Sequence, residues 1–271
     1  MKKTIVAIAM KAEIEPSVMQ NLQEKYPNIE FIHTGVGKVK ATFALTDKIN
    51  EIKNKGDEVS SIINLGTCGG RGLKVGEVVY CNKFFQKDMD ISALGLKTGF
   101  DLNTNYGFRG CETKEDEYGE YITHKNLNLP FSNVICATAD SFTNDLEPKK
   151  PEQAVSVEEM EAYALALVCK QKGIDFVAIK YVSNKLGAET NLKEQGEDFD
   201  KDVKEKQAET KLVSALETTM KKIELENKQN EFSLFNMLYN PEEQSVVQSL
   251  NTIKTNNELN AKTQKTQGIS M

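Results

Sequence analysis

Tryptophan is absent from the 271 residues, and histidine occurs only twice, at His33 and His124. Two histidines are too few for the His-rich ligand sets of common zinc centres, so a histidine metal site is not expected. The five cysteines (Cys68, Cys81, Cys111, Cys136, Cys169) contain no CxxC pair. An odd number without a framework fits reduced thiols in a cytoplasmic protein, not a disulfide scaffold. Long apolar runs are missing too, which leaves no candidate for a membrane-spanning helix. The opening MKKTIVAIAM has the look of a leader peptide, but Lys11 and Glu13 follow its short apolar run at once, and it reads as a first strand. Positive charge is not in surplus either. Lys and Arg number 34 against 40 Asp and Glu, a formal net charge of −6 that argues against gripping a nucleic-acid backbone.

What is present is enough for a folded core: 39% of the residues are hydrophobic, beside 27% charged. Apolar runs of strand length alternate with helical patterns. Residues 4–9, IEFIHTG, VSSIINLGTCGGRG, GEVVYCNKFFQ, NVICATA, AVSVE and DFVAIKYVS read as strands, the third breaking into a glycine-rich loop. EPSVMQNLQEKY, residues 38–55, a segment opening at Glu158 and a charged run over 198–223 read as helices. Residues 99–128 are polar and read as an irregular surface excursion. Several strands lack polar alternation, which indicates a sheet covered on both faces. The expected class is therefore α/β. Residues 1–225 are expected to form one domain. Residues 226–271, rich in Asn, Gln, Lys and Thr, are expected to form a polar extension, disordered from about residue 251.

VSVEEMEAYALALV, residues 155–168, crowds Glu158, Glu159 and Glu161 around Met160 where an apolar strand hands over to an apolar helix. Acids in a first helical turn complement the helix dipole for roughly 0.3–1 kcal/mol each. That accounts for exposed acids, but Glu161 aligns with Leu165 and Val168 at the head of an apolar stripe. A carboxylate there is either paired or placed for a polar ligand. Three other stretches stand at strand ends: AMKAEIEP with Glu13, NLGTCGG and ATADSFTND. Ligand sites of open α/β sheets form beyond the carboxyl ends of strands. For Glu13 an exposed helix-start acid and a functional acid both remain open, and for Phe142 a core aromatic and a ligand-stacking one. Cys68 and Cys136 read as packing residues.

In order, the motifs AM-x-x-E, GVGK-x-x-A, NLGTCGG, GEVV, KDMDISALG, TADSF, VEEMEA and KYVS resemble those of 5'-methylthioadenosine/S-adenosylhomocysteine nucleosidases, members of the nucleoside phosphorylase superfamily. The resemblance runs from about residue 4 to 184 and weakens across 96–130. It implies a three-layer αβα sandwich with a central twisted mixed sheet, usually a homodimer, that hydrolyses an N-glycosidic bond of a purine nucleoside without metal or cofactor. By the same resemblance Glu13 activates water with Thr67 beside it, and Glu161 holds the ribose hydroxyls. Glu159 and Met160 line the ribose, Phe142 stacks on the purine, and Thr143 contacts the base through its backbone. The chemistry is coherent, because acids in a dry pocket stabilise the oxocarbenium-like transition state more than the neutral nucleoside.

Two departures matter. Phosphorylases of this superfamily place an arginine two residues before the first loop glycine. Asn64 stands there, which favours water over phosphate as acceptor. Adenine-directed relatives carry an aspartic acid after the KYVS serine, as proton donor to N7 of the leaving base. Asn184 stands there, and an amide hydrogen-bonds but does not hand over a proton. The alternatives left open are a phosphorylase preferring 6-oxopurines and a nucleoside-binding homologue with weakened catalysis.

Overall fold

Three parallel strands rich in β-branched residues start the sheet. β1 (Lys2–Ile8) lies between β2 (Ile29–His33) and β3 (Glu58–Arg71). The computed structural model describes residues 1–89, 121–141, 154–186 and 198–239 of the chain. β8 (Asp175–Lys185) runs parallel along the other edge of β3, and β4 (Val78–Gln86) runs antiparallel to β8. β4 also pairs in parallel with β6 (Ser132–Thr138) and antiparallel with the short β5 (Ile122–Thr123). β7 (Ser156–Glu159) is parallel to β6 and returns antiparallel to Gly69–Arg71 of β3. The mixed sheet thus curls until β3, β8, β4, β6 and β7 close on one another, which brings the ends of distant strands to one place.

Helices cover the sheet. α2 (Lys38–Asn54) and α3 (Ala162–Lys172) bury Ala41, Leu45, Ile49, Ala162, Leu165 and Cys169 against Ile5, Ala7, Ile62, Ala178 and Val182 in one apolar cluster. Strand residues of opposite parity, such as Val6, Ile63, Leu65, Val177 and Ile179, are buried as well, so the second face is also covered. α1 (Pro16–Lys25) and the start of α4 (Asp198–Tyr239) are the remaining helices. Lys211 of α4 donates to the Gly76 carbonyl at 2.6 Å and approaches the Tyr181 ring, on the face opposite Lys180. The expected α/β layers with a central mixed sheet are what the chain forms.

Four details differ from the sequence reading. The glycine-rich stretch is not a loop but the second half of β3, paired through Gly70 with β8 and through Arg71 with β7. Its glycines serve close approach: a Cβ on Gly66 would stand 2.7 Å from Glu13 Oε1, and one on Gly70 2.6 Å from Val182 Cγ1. Glu158 and Glu159 belong to β7, and α3 begins only at Ala162, because the acids face backbone amides across the turn (below). Part of the supposed surface excursion is core: Tyr121, Ile122 and Leu127 are buried, since β5 pairs with β4; residues 99–120 lie outside the described residues. The last helix runs 42 residues and not to 223, because nothing between Asp198 and Tyr239 breaks it and Glu, Lys, Gln and Leu favour helix. The chain divides within this helix into two units, Met1–Thr219 and Met220–Met271. The described part of the second unit is helix to Tyr239, with an ion pair from Lys222 to Glu226. The stretch expected to be disordered from about 251 lies outside the described residues.

Candidate functional site

A helix leaves its first N–H groups without intrahelical partners. In α3 they are met from outside the helix. Glu159 accepts from the N–H of Glu161 at 3.0 Å and of Ala162 at 2.8 Å. The Thr138 hydroxyl accepts from the N–H of Tyr163 at 2.9 Å and itself donates to Glu159. Lys180, rising from the middle of β8, pairs with Glu159 at 3.1 Å, the two side chains being 2% and 3% exposed. Burial works against the Glu159 charge, but Lys180, the Thr138 hydroxyl and the two backbone N–H groups outweigh it and hold its carboxyl below the usual range. Burial likewise works against the Lys180 charge, and Glu159 foremost holds it above the usual lysine range.

Because Glu159 does the capping, Glu161 is released from it. Glu161 occupies the N-cap position of α3, yet its side chain makes no cap bond. It reaches across to the Gly37 N–H at the head of α2, 2.8 Å away. Only 5% exposed, its carboxyl is pushed up to about 7, first by burial and then by the charge of Glu159. Lys180 and the Gly37 N–H act in the other direction. Glu161 is thus a carboxyl near the balance point between its two forms at neutral pH, the condition under which an acid is most responsive to a ligand.

Glu13 enters from the turn after β1. Its Oε1 accepts from the Thr67 N–H at 2.9 Å, with the Thr67 hydroxyl at 3.4 Å, and its Oε2 accepts from the Met10 N–H at 3.1 Å. Gly66 makes room for that carboxylate. The charge of Glu13 is felt by both Glu161 and Lys180, so these segments converge. Met160 follows β7, half-buried. Asn184 lies near the end of β8 opposite Gly69, its Oδ1 3.0 Å from the Ser183 hydroxyl. Phe142 and Thr143 lie outside the described residues. Of the expected site residues, Glu13 and Thr67 touch, and Glu161 lies within the electrostatic reach of Glu13 and Lys180. Glu159, expected to line a ligand, has both carboxylate oxygens engaged within the protein.

The sequence reading did not single out Lys180, Thr138 or the bonding of Lys38. A lysine inside the apolar run DFVAIKYVS was the available signal, since a fully buried lysine needs a partner. Lys38 pairs with Asp88 and, at 3.1 Å, with Asp140; its own N–H donates to Asp140 at 2.9 Å. The Asp140 N–H in turn donates to Asp88 at 2.8 Å. This clamp ties the head of α2 to the ends of β4 and β6; its aspartates lie in KDMDISALG and TADSF, motifs that gave neither of them a role by sequence. Burial pushes the Cys68 and Cys136 thiols well up, as befits packing residues. Among the described residues no group of three His, Cys, Asp or Glu side chains is placed to hold a metal ion, and no helix is long and apolar enough to cross a membrane.

Comparison with known proteins bears on this arrangement. The sequence pattern of the phosphorylase superfamily matches residues 27–217. The 5'-methylthioadenosine/S-adenosylhomocysteine nucleosidase of Bacillus cereus (strain B4264) is 31% identical over 168 residues, 59% of this chain and 70% of its own. That of Geobacillus sp. (strain WCH70) is 29% identical over 173 residues, 61% of this chain and 71% of its own. Among solved structures, the Helicobacter pylori nucleosidase of the same name, crystallised with butyl-thio-DADMe-Immucillin-A, covers 82% of this chain and 98% of its own at 21% identity, with a TM-score of 0.58. Futalosine hydrolase of Helicobacter pylori covers 81% and 97% at 20% identity, with a TM-score of 0.59. At these identities the structures speak for the fold alone.

The raised carboxyl of Glu161 has a consequence for stability. The folded chain holds this proton more tightly than the unfolded one. Stability from this group is therefore full below its ordinary value of 4.5 and is lost as pH rises towards 7. Glu161→Gln keeps an acceptor for the Gly37 N–H and cannot ionise. Its melting temperature should exceed that of the wild type at pH 8, by up to about 3 kcal/mol of stability, and the gap should close below pH 4.5. Thermal melts across that range check it; a variant less stable than wild type at pH 8 would contradict the assignment.

Proposed function

The chain belongs to the phosphorylase superfamily and, within it, to the 5'-methylthioadenosine/S-adenosylhomocysteine nucleosidases, and from that premise we propose that it hydrolyses the N-glycosidic bond of purine nucleosides of that type. The observation that carries the reading is the division of labour among the acids. Glu159 is spent on Lys180 and α3, which leaves Glu161 and Glu13 as carboxylates with free capacity in one pocket. Glu161 takes the two ribose hydroxyls, since a carboxylate accepts several hydrogen bonds at once. Glu13, steadied by the N–H groups of Met10 and Thr67, takes a proton from water, with the Thr67 hydroxyl beside it. As the bond to the base stretches, positive charge grows on the sugar ring, and the two carboxylates stabilise it. Met160 lines the ribose, Phe142 stacks on the base and Thr143 contacts it through its backbone. Glu159 supports the ribose subsite from behind.

Water is favoured over phosphate by two features. Asn64 is 1% exposed and its Nδ2 donates to the Ala7 carbonyl at 3.1 Å, so it offers nothing to an anion in the pocket. The first two N–H groups at the head of α2, a natural anion site, are already taken by Glu161 and Asp140. We further propose residues 1–225 as the catalytic domain with 226–271 as a polar extension, a cytoplasmic setting, and a homodimer. Val39 and Phe43, 81% and 75% exposed one turn apart on α2, support the last. Sedimentation equilibrium should give twice the chain mass, and a monomer at micromolar concentration would rule it out.

Base preference rests on Asn184. Its Oδ1 faces the Ser183 hydroxyl, so the amide presents its NH₂ group, two donors. Adenine offers N7 as acceptor beside an amino group, whereas hypoxanthine and guanine offer N7 and O6, two acceptors. This favours, as a second reading, a shift towards 6-oxopurine nucleosides and slow release of adenine.

Purine nucleosides incubated with the protein should release free base at the same rate with and without phosphate; release that requires phosphate would overturn hydrolysis. Glu13→Gln should lower kcat by about 10²–10⁴-fold with little change in KM, as a base that acts in the transition state does. A variant altered only in KM would make Glu13 a binding residue.

Asn184→Asp should raise adenine release from 5'-methylthioadenosine tenfold or more by restoring a proton donor, and lower release from inosine. If the wild type is already fast on 5'-methylthioadenosine and the variant gains nothing, Asn184 does not limit catalysis.

A further inference from the structure

Three carboxylates, Glu13, Glu159 and Glu161, act on a single buried ammonium, Lys180, and the first two also act on Glu161. They are not equally supported. Among the described residues, Glu159 accepts from the Thr138 hydroxyl and two backbone N–H groups besides Lys180, and Glu13 accepts from two backbone N–H groups. Glu161 accepts from one, that of Gly37. When like charges share a buried site, the least supported group gives up its charge first. That group is Glu161, the one whose charge the ribose and the developing cation need.

We propose that Lys180 is the positioning residue that keeps Glu161 able to ionise: by pairing with Glu159 from within the sheet, it offsets part of the repulsion that would otherwise leave Glu161 protonated. This rests on the ribose-binding reading of Glu161 above. The groups facing Glu161 come from several elements: Glu159 from β7, Lys180 from β8, Glu13 from the turn after β1 and the Gly37 N–H from α2. Cys136 of β6 and Cys68 of β3 also act on Lys180 or lie in its field, and burial keeps both thiols protonated, so they add no charge. Tyr163 of α3 is likewise held neutral by burial. Lys180 is therefore the one cation in this set, and Glu159 joins it to the amide groups that open α3, two residues from the acid it serves. The Lys180 ammonium is engaged by Glu159. It acts through the charge state of another residue, and a purely structural ion pair would not do so.

The pH dependence of kcat/KM for purine release separates the two roles. The wild type should show an acid limb in which activity rises as Glu161 ionises. Lys180→Met should move that limb to higher pH by about one unit or more, because Glu159 keeps its other donors and its charge. Glu159→Gln, which removes the repelling anion and keeps the lysine, should move it to lower pH. Lys180→Arg retains the charge and should leave the limb in place, whatever happens to kcat. Superimposed limbs in all variants, with stability alone reduced, would overturn the proposal and leave a structural pair. If Lys180→Met does not fold, Glu159→Gln still carries the test, in the opposite direction. A measurement on the wild type needs no variant: calorimetric binding of 5'-methylthioadenosine at pH 7 in two buffers of different ionisation enthalpy should show proton release, because the ribose hydroxyls draw Glu161 into its charged form. Binding without proton release would also overturn it. A protein that binds with proton release but never frees a base would contradict the proposed hydrolysis while leaving this inference intact.

Discussion

Lys180 and Glu159 meet inside the protein, 3.1 Å apart and almost without solvent. Burying two charges costs several kcal/mol each, and their attraction offsets that only if the remaining hydrogen-bonding capacity is satisfied. Here it is satisfied for Glu159 by Thr138 and by the amides that open α3. The pair therefore joins β6, β7, β8 and α3 at one point. Removing one partner would strand the other charge, typically at a cost of about 3–5 kcal/mol. The different roles of Glu159 and Glu161 follow from this contact, because it decides which glutamate caps α3.

With the cap assigned to Glu159, Glu161 has, among the described residues, a single backbone donor, and its carboxyl is balanced near neutral pH. A side chain held in that state is costly for stability and useful for binding, which is the usual trade at functional sites. The neighbouring contacts limit its freedom. Gly37, at φ +96, is held in a conformation that suits glycine, and a Cβ there would approach Asp140 Oδ1 to 3.2 Å. The Lys38 clamp with Asp88 and Asp140 fixes the same turn from the other side. The donor that faces Glu161 is thus set by the loop's geometry and does not wait for the ligand.

The two ends of the reaction are served unequally. In the proposed reaction Glu13 and Glu161 serve the sugar side, where electrostatic stabilisation among partly buried groups is strong. On the base side the proposed contribution is an amide, that of Asn184, whose Oδ1 lies 3.0 Å from the Ser183 hydroxyl. Stabilising the cation lengthens the glycosidic bond whichever base leaves, but protonating the base depends on an acid that an amide cannot replace. The proposed chemistry is therefore weighted towards the sugar.

How much of this was legible beforehand differs by residue. Alternating apolar strands and helices marked the α/β class, because burial on both faces of a sheet leaves a continuous apolar run in one dimension. Glu13 and the acids around Met160 stood out because polar residues at strand ends are local features, whereas Thr67 and Asn184 stood out only through the resemblance to the nucleosidases. The strand through NLGTCGG was not legible: glycines look like a loop until the side chains of Glu13 and Val182 are seen to occupy the places of their Cβ atoms. Nor could the sequence tell Glu159 from Glu161. They are two residues apart and chemically identical, and what separates them is a lysine 19 or more positions away that only the closure of the sheet brings under one of them. Residue types and their spacing determined the layers and the list of acids; which acid is paired and which stays open to a ligand was decided by long-range packing, because charge state depends on neighbours in space.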